Sequence, residues 1–292
     1  MKRVSKSNPC PRCGKDSWCF MTESSVLCMR DNSGRPFVLK SGETGYWHDL
    51  DGIQKREFKS QAVQREPEID AGKIMGKWRN ETRPGDFAAL AKSLGVTGSS
   101  VLAIGAAWAK EHHAWAFPMR DGNGRQVGIR LRAMNGKKWC VKGSKTGVFL
   151  PWGNPERTVY LPEGPTDVCA LLSIGLYAIG RPSNSGGLLD IKNSVRRLGI
   201  QKAVIIADND DDKFMSDGRK FNPGYDGAES LARHIGIPCC ILSLPTKDMR
   251  QFVNEGGTSM VLDALTAGLV WQNLPSAWNT TPPAPRSLGA AA

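Results

Sequence analysis

Ala203-Val-Ile-Ile-Ala207 runs without a polar side chain straight into Asp208-Asn209-Asp210. An apolar run of strand length, rich in β-branched residues, has no side chain to give to water on either face of a pleat. That is the pattern of a strand buried on both sides, as in a parallel sheet covered by helices. Its surroundings repeat the theme. Thr158–Pro162 reads as a short strand stopped by Glu163-Gly164, and Asp167 to Ile174 as a helix. Leu176–Gly180 reads as another strand, Ile191 to Leu198 and Tyr225 to Ile235 as helices, and Pro238–Leu244 as a further strand. Strands alternating with helices at this spacing imply βαβ units and an α/β domain with a mainly parallel, Rossmann-like sheet, here placed at 157–270.

In such a sheet functional groups gather at the carboxyl ends of the strands. Glu163 stands at one such end, Asp208 and Asp210 at another, and Asp167 at the entry of the intervening helix. Carboxylate oxygens are the ligands that hard Mg2+ selects. One Asp-rich loop alone would read as helix caps and solvated surface. Two acidic strand ends, in order and separated by βα units, favour metal.

The chain begins differently. Cys10, Cys13, Cys19 and Cys28 fall within its first 28 residues, whereas Cys140, Cys169, Cys239 and Cys240 are scattered through apolar stretches. MKRVSKSNPCPRCG has positive charge with no apolar segment behind it, so the expected setting is a reducing cytoplasm. There, clustered thiols bind metal more often than they form disulfides. Cys10-Pro-Arg-Cys13-Gly14 has the form of a zinc knuckle, and Cys28 is the natural third ligand of a tetrahedral site. Cys19 and His48 stand equal as the fourth, with Asp31 behind them. We expect a small β ribbon over 1–56 and a polar linker over 57–70.

Between these ends lies a basic α+β segment, 71–156. Ile69 to Leu94 carries a mostly helical pattern. Ala114–Met119 and Gln126–Ala133 read as a hairpin around Asp121-Gly122-Asn123-Gly124. From Arg130 to Lys145 there are several Arg and Lys residues and no acidic one. Arg130 and Arg132 share one face of the second strand. With Lys142 and Lys145 they suit phosphate binding, and the competing role is a charged edge strand that resists pairing. The whole chain of 292 residues has 39 Lys and Arg against 28 Asp and Glu, a net charge of +11. That balance favours a polyanionic partner, and no apolar run approaches the ~20 residues of a spanning helix. Trp18 and Trp47 either stack on bases or fill the ribbon. The Pro-, Ala- and Thr-rich stretch 271–292 reads as a disordered tail.

Glu163-Gly-x-x-Asp167 followed by Asp208-x-Asp210 after an apolar strand resembles the Toprim domain, over about Thr158 to Val253. A zinc ribbon, a basic segment and a Toprim domain in this order resemble the DnaG-type and phage-type DNA primases, from about Asn8 to Val253. The resemblance implies template-directed synthesis of short RNA primers on single-stranded DNA by two-metal nucleotidyl transfer. Glu163, Asp208 and Asp210 would hold Mg2+ or Mn2+, supported by Asp167 and by Asp248, which resembles a further acidic position of phage primases. Arg130, Arg132, Lys142 and Lys145 would hold nucleotide phosphates or template, and the thiols a structural Zn2+. The implied partners are the DNA template, ribonucleoside triphosphates and a separate replicative helicase, since the sequence has no G-x4-G-K-[ST] stretch. The implied setting is a bacterial cytoplasm, with a bacteriophage or mobile element as a source. One departure is the insertion Asp211 to Pro223, where family members pass almost directly into a helix. Two rival readings are a Toprim metal-dependent nuclease and a non-catalytic adaptor that binds single-stranded DNA. With four tyrosines in 292 residues, a strand-passing topoisomerase is not expected.

Overall fold

The computed structural model describes residues 1–31, 33–38, 44–50, 68–153, 155–184, 186–214 and 220–272. The chain divides into two units, Met1–Glu66 and Pro67–Ala292. The expected linker lies outside the described residues except at 68–70, and the expected tail except at 271 and 272.

In the first unit the strands are short: β1 (Lys2–Arg3), β2 (Phe20–Met21), β3 (Ser25–Cys28), β4 (Arg35–Val38) and β5 (Thr44–Asp49). They form one antiparallel sheet in the order β1-β2-β3-β5-β4. Its core is Val4, Cys10, Cys19, Val26 and Cys28, with Cys13, Met21, Met29 and Leu50 packed around them. So few apolar side chains cannot hold a fold of this size alone, and small modules of this kind depend on a metal or on disulfides.

In the second unit, α1 (Ala71–Glu81) is capped by Asp70, whose carboxylate accepts from Lys73 N at 2.9 Å. The mostly helical stretch Ile69–Leu94 is divided into two helices. Pro84 disfavours helical backbone at the residue before it, and Arg83 is extended, with ψ 154°. α2 (Pro84–Leu94) therefore starts afresh, and Gly95 ends it in the left-handed conformation, with φ 68°. α3 (Gly98–Ala103) leads into an antiparallel sheet of β6 (Ala107–Ala109), β7 (Ala114–Arg120), β8 (Gln126–Ala133) and β9 (Lys138–Cys140), in that order. Ala114, Ala116, Ile129 and Leu131 pack on Met75 and Trp78 of α1. Trp115, Phe117 and Met119 point the other way, into the core shared with the parallel sheet.

That sheet holds β10 (Thr158–Leu161), β11 (Lys202–Ala207) and β14 (Cys239–Ser243), all parallel, with β11 central. The helices α4 (Pro165–Ser173), α5 (Leu188–Arg197) and α6 (Pro223–Ile235) connect them. α7 (Met249–Asn254) and α8 (Ser259–Ala267) follow. β11 is buried on both faces: Val204 and Ile206 join the core with α4, while Ala203, Ile205 and Ala207 join Ile191, Val195, Leu231 and Ile235 of α5 and α6. The strand expected at Leu176–Gly180 runs beside β10 as separate parallel bridges, Tyr160 with Ala178 and Glu163 with Arg181. The insertion begins and ends in a small antiparallel pair, β12 (Lys213–Phe214) with β13 (Lys220–Phe221). Among the described residues no helix is long and apolar enough to cross a membrane.

Candidate functional site

Two sites emerge, one in each unit. In the first, the sulfurs of Cys10, Cys13, Cys19 and Cys28 lie within 4.8 Å of one another. Among the described residues no other group of three or more ligating side chains is this tight. Gly14, with φ 71°, turns the chain after Cys13, and its N–H donates to the Cys10 carbonyl at 2.8 Å. Backbone N–H groups also face the sulfurs: Met29 N lies 3.4 Å from Cys19 Sγ and Asp31 N 3.3 Å from Cys28 Sγ. Four soft donors around one point, with amides aimed at the developing thiolates, fit a structural zinc ion. Of the two side chains expected to compete for the fourth position, Cys19 lies in the cluster. His48 sits in β5 opposite Val26, with Nε2 at 3.2 Å from the Asp31 carbonyl. Asp31 is engaged by Arg12. Trp18 is exposed, and Trp47 is half-buried with its ring edge-on to Phe37 at 6.1 Å.

The second site is acidic and lies where the parallel strands end. β10 delivers Glu163, β11 delivers Asp208 and Asp210, α4 carries Asp167 in its first turn, and Asp248 caps α7 through Gln251 N at 2.8 Å. The chain needs glycine beside this point. Gly164 has φ 82°, and a side chain on Gly224 would fall on the Asp208 carbonyl. With neither burdened by a Cβ, α4 can start at once after Glu163 and α6 can lie against the end of β11.

The carboxylates feel one another. Burial pushes the Asp208 carboxyl up to about 7, helped by the charge of Glu163 and, less strongly, by Asp248 and Asp210, while Arg181 pulls it back. Burial also raises Glu163, with Arg181 opposing and Asp210 reinforcing. Asp167 is only 5% exposed. Burial, then Asp248 and Asp208, hold it well above the usual carboxylate range, although Arg250 N donates to it at 2.9 Å. Asp208 Oδ1 is buried without a hydrogen-bond partner. An orphaned carboxylate oxygen amid repelling carboxylates is a set of hard donors short of positive charge. It fits a divalent ion of the Mg2+ type, and donors set wider apart than the thiols suit an ion that keeps several waters.

Cations face this cluster. Arg130 and Lys138 act on Glu163, and Arg132 lies near Asp167, Asp248 and Arg250. Arg130 Nη2 donates to the Pro182 carbonyl at 3.3 Å. Of the other two predicted phosphate ligands, Lys142 is exposed and Lys145 pairs with Glu68 at 2.6 Å. The structure thus brings all five predicted carboxylates together with Arg130 and Arg132, and turns Lys145 to a different carboxylate.

Three further residues belong here. Arg181 is fully buried and donates to the carbonyls of Ile206 at 2.6 Å and Asn184 at 3.2 Å. Asn184 reaches Asp210 Oδ2 at 3.4 Å. Lys138 pairs in register with Arg132 across β8 and β9. Arg181 ends the Leu176–Gly180 segment as Glu163 ends β10, so the strand-end rule applied to that segment would have found it.

No family model matches the chain, and no curated protein matches it in sequence. Solved structures match its fold. A DnaG primase catalytic domain bound to single-stranded DNA aligns over 69% of this chain and 78% of its own, with a TM-score of 0.53 and 14% identity. The DnaG catalytic core aligns over 68% and 80%, with a TM-score of 0.51 and 15% identity. The Aquifex aeolicus primase, zinc-binding and RNA polymerase domains together, aligns over 69% of this chain and 60% of its own, with a TM-score of 0.54 and 14% identity. At these identities the likeness is one of fold. The chain has the α/β fold of DnaG-type primases.

Proposed function

We propose that this protein is a DNA primase, a nucleotidyltransferase that builds short RNA primers on single-stranded DNA. The observation that carries the reading is the convergence of Glu163, Asp167, Asp208, Asp210 and Asp248 opposite the cationic β8–β9 edge, within a DnaG-type fold. In the proposed reaction the 3′ hydroxyl of one nucleotide attacks the α-phosphate of the next. The O–P bond forms, the bond to pyrophosphate breaks, and the hydroxyl proton leaves for solvent or for Glu163. Mg2+ or Mn2+ held by Glu163, Asp208 and Asp210 would stabilise the attacking and leaving oxygens, as two-metal sites do.

The chain's own residues do the rest. Arg130, Arg132 and Lys138 hold phosphate oxygens and so orient the triphosphate. Asp167 and Asp248 set the field around Asp208. Arg181 keeps Glu163 and Asp208 ionisable despite their burial, since its charge lowers both. The proposed domains are the ribbon at 1–56, the basic subdomain at 71–156 and the Toprim domain at 157–270. The thiol-rich ribbon would bind template and help choose the start, and a replicative helicase is the proposed partner.

The test is primer synthesis on unprimed single-stranded DNA with Mg2+ or Mn2+ and four ribonucleotides, one labelled. Short labelled oligonucleotides are expected from wild type and none from folded Asp208→Ala. Equal product from the variant sinks the assignment. Template shortening without nucleotides would establish the nuclease reading, and binding alone, indifferent to Mg2+, the adaptor.

A further inference from the structure

A second cationic cluster lies away from the carboxylates. Arg79 of α1 lies over the ring of Trp152, with Cζ 4.1 Å from its centroid. Arg120, the last residue of β7, donates Nη1 to the Gly124 carbonyl at 3.0 Å. Arg197, the last residue of α5, donates Nε to the Gly122 carbonyl at 3.2 Å. Its guanidinium also lies against Gly124: a Cβ there would be 3.3 Å from Arg197 Nη2. One turn therefore holds two guanidiniums side by side, each by a single donor. Burial, and then the charges of Arg79 and Arg197 beside it, make the positive charge of Arg120 costly.

Among the described residues, none of the three forms an ion pair with a carboxylate. Two acids beside this turn have other partners. Asp121 pairs with Arg125 at 3.1 Å, and Asp190 accepts from Gly122 N at 2.9 Å. Tyr177, whose ring approaches Gly153, completes the surroundings. Tyr177 stands four residues before Arg181, which meets Glu163 at the end of the same segment. At ~3.3 Å per residue that places this cluster roughly 13 Å from the carboxylates along the strand.

Three guanidiniums that pair with no carboxylate among the described residues, next to a tryptophan that is 49% exposed, match the chemistry of a nucleic-acid strand. Planar forks grip phosphate oxygens, and an exposed indole offers a stacking face. We infer that Arg79, Arg120, Arg197 and Trp152 form a second phosphate-binding surface that takes the backbone of single-stranded nucleic acid beyond the carboxylate centre. The inference rests on the primase reading only for the strand's identity, which is DNA. A strand held at both places would stay bound between nucleotide additions.

The test is binding of a fluorescent oligothymidylate to the full chain by anisotropy, across a salt series. The variants are R79Q/R197Q and W152A. The control is R233Q, which removes a surface charge on α6. The R79Q/R197Q variant is expected to bind at least tenfold more weakly. Its salt slope should fall by about 1.4, two phosphate contacts at ~0.7 each for single strands. W152A should weaken binding with the slope unchanged, and R233Q should bind as wild type. Matching thermal midpoints show that the variants fold. Unchanged affinity and slope in R79Q/R197Q overturn the proposal whether or not the protein makes primers. A parallel titration with a fluorescent ATP analogue separates the phosphate source. Loss of ATP binding with strand affinity intact would make this a free-nucleotide site and overturn the strand proposal.

Discussion

Arg181 and Glu163 meet across a parallel bridge, backbone to backbone, at the point where two neighbouring sheet segments end. The arginine is fully buried, and its two terminal nitrogens are spent on the carbonyls of Asn184 and Ile206. Its charge is therefore fixed in place behind Glu163 and Asp208, where it opposes the rise that burial imposes on both.

Replacing Arg181 by Met should damage the protein in two separable ways. Two carbonyls lose a charged donor and the carboxylates lose their buried counter-charge, so stability should fall by about 3–5 kcal/mol. Denaturant midpoints report that loss. In the protein that remains folded, the acid limb of the activity profile should move to higher pH, because Glu163 and Asp208 ionise less readily. An unmoved limb would show that Arg181 is a structural group only.

Asp208 gives a stability prediction of definite sign. Its carboxyl sits at about 7 in the folded chain, against ~3.9 when unfolded. The folded state then binds the proton more tightly than the unfolded state. Stability falls as pH rises from about 4 through about 7 and is level above that. Asp208→Asn removes this penalty. Without added divalent cation, the variant should melt higher than wild type at pH 8 and level with it at pH 4.5. Millimolar Mg2+ should raise the wild-type midpoint at pH 8 and leave the variant unmoved. A variant that melts lower at both pH values would refute the electrostatic account.

Much of this is legible in the sequence, for a physical reason. Ala203–Ala207 can be satisfied only by burial on two faces, and a charged residue straight after such a run can only lie at the sheet's edge. Glu163, Asp208 and Asp210 follow from that alone, and the fold follows from the repetition of the pattern. The fourth thiol does not, because Cys19 and His48 are both a hairpin's reach from Cys10, and only strand register decides which one faces inward. Arg181 also stands at the end of an expected strand, but a lone arginine with no second charge beside it carries no metal-ligand pattern to single it out. Lys145 reads as a phosphate ligand from its neighbours, yet it meets Glu68, 77 positions earlier in the sequence. Contacts of that range leave no local trace.

The ribbon's ligand set can be checked by metal content. Elemental analysis of purified wild type should find one zinc per chain. Cys19→Ser should lose it and, with a core this small, melt the ribbon, whereas His48→Ala should retain it. Zinc retained in the first variant and lost in the second would reverse the assignment of the fourth ligand.

Gly224 offers the sharpest steric test. α6 begins at Pro223, with Asn222 capping it through Tyr225 N at 2.9 Å. Its first turn presses on the loop that carries Asp208, and Gly227, one turn on, presses on the Asn184 carbonyl. A methyl group on Gly224 has no free space, and its obstacle is backbone, which cannot rotate away. Gly224→Ala should therefore cost about 1–3 kcal/mol and shift Asp208 out of line with Glu163. Exposed Gly76, in the middle of α1, has open space where a Cβ would stand, with no atom within 4 Å. There the same substitution should stabilise by roughly 0.5–1 kcal/mol. The pair is read by thermal midpoint and by primer synthesis at saturating Mg2+. A Gly224→Ala protein as active as Gly76→Ala would mean that the acidic centre tolerates movement of the end of β11, against the packing described above.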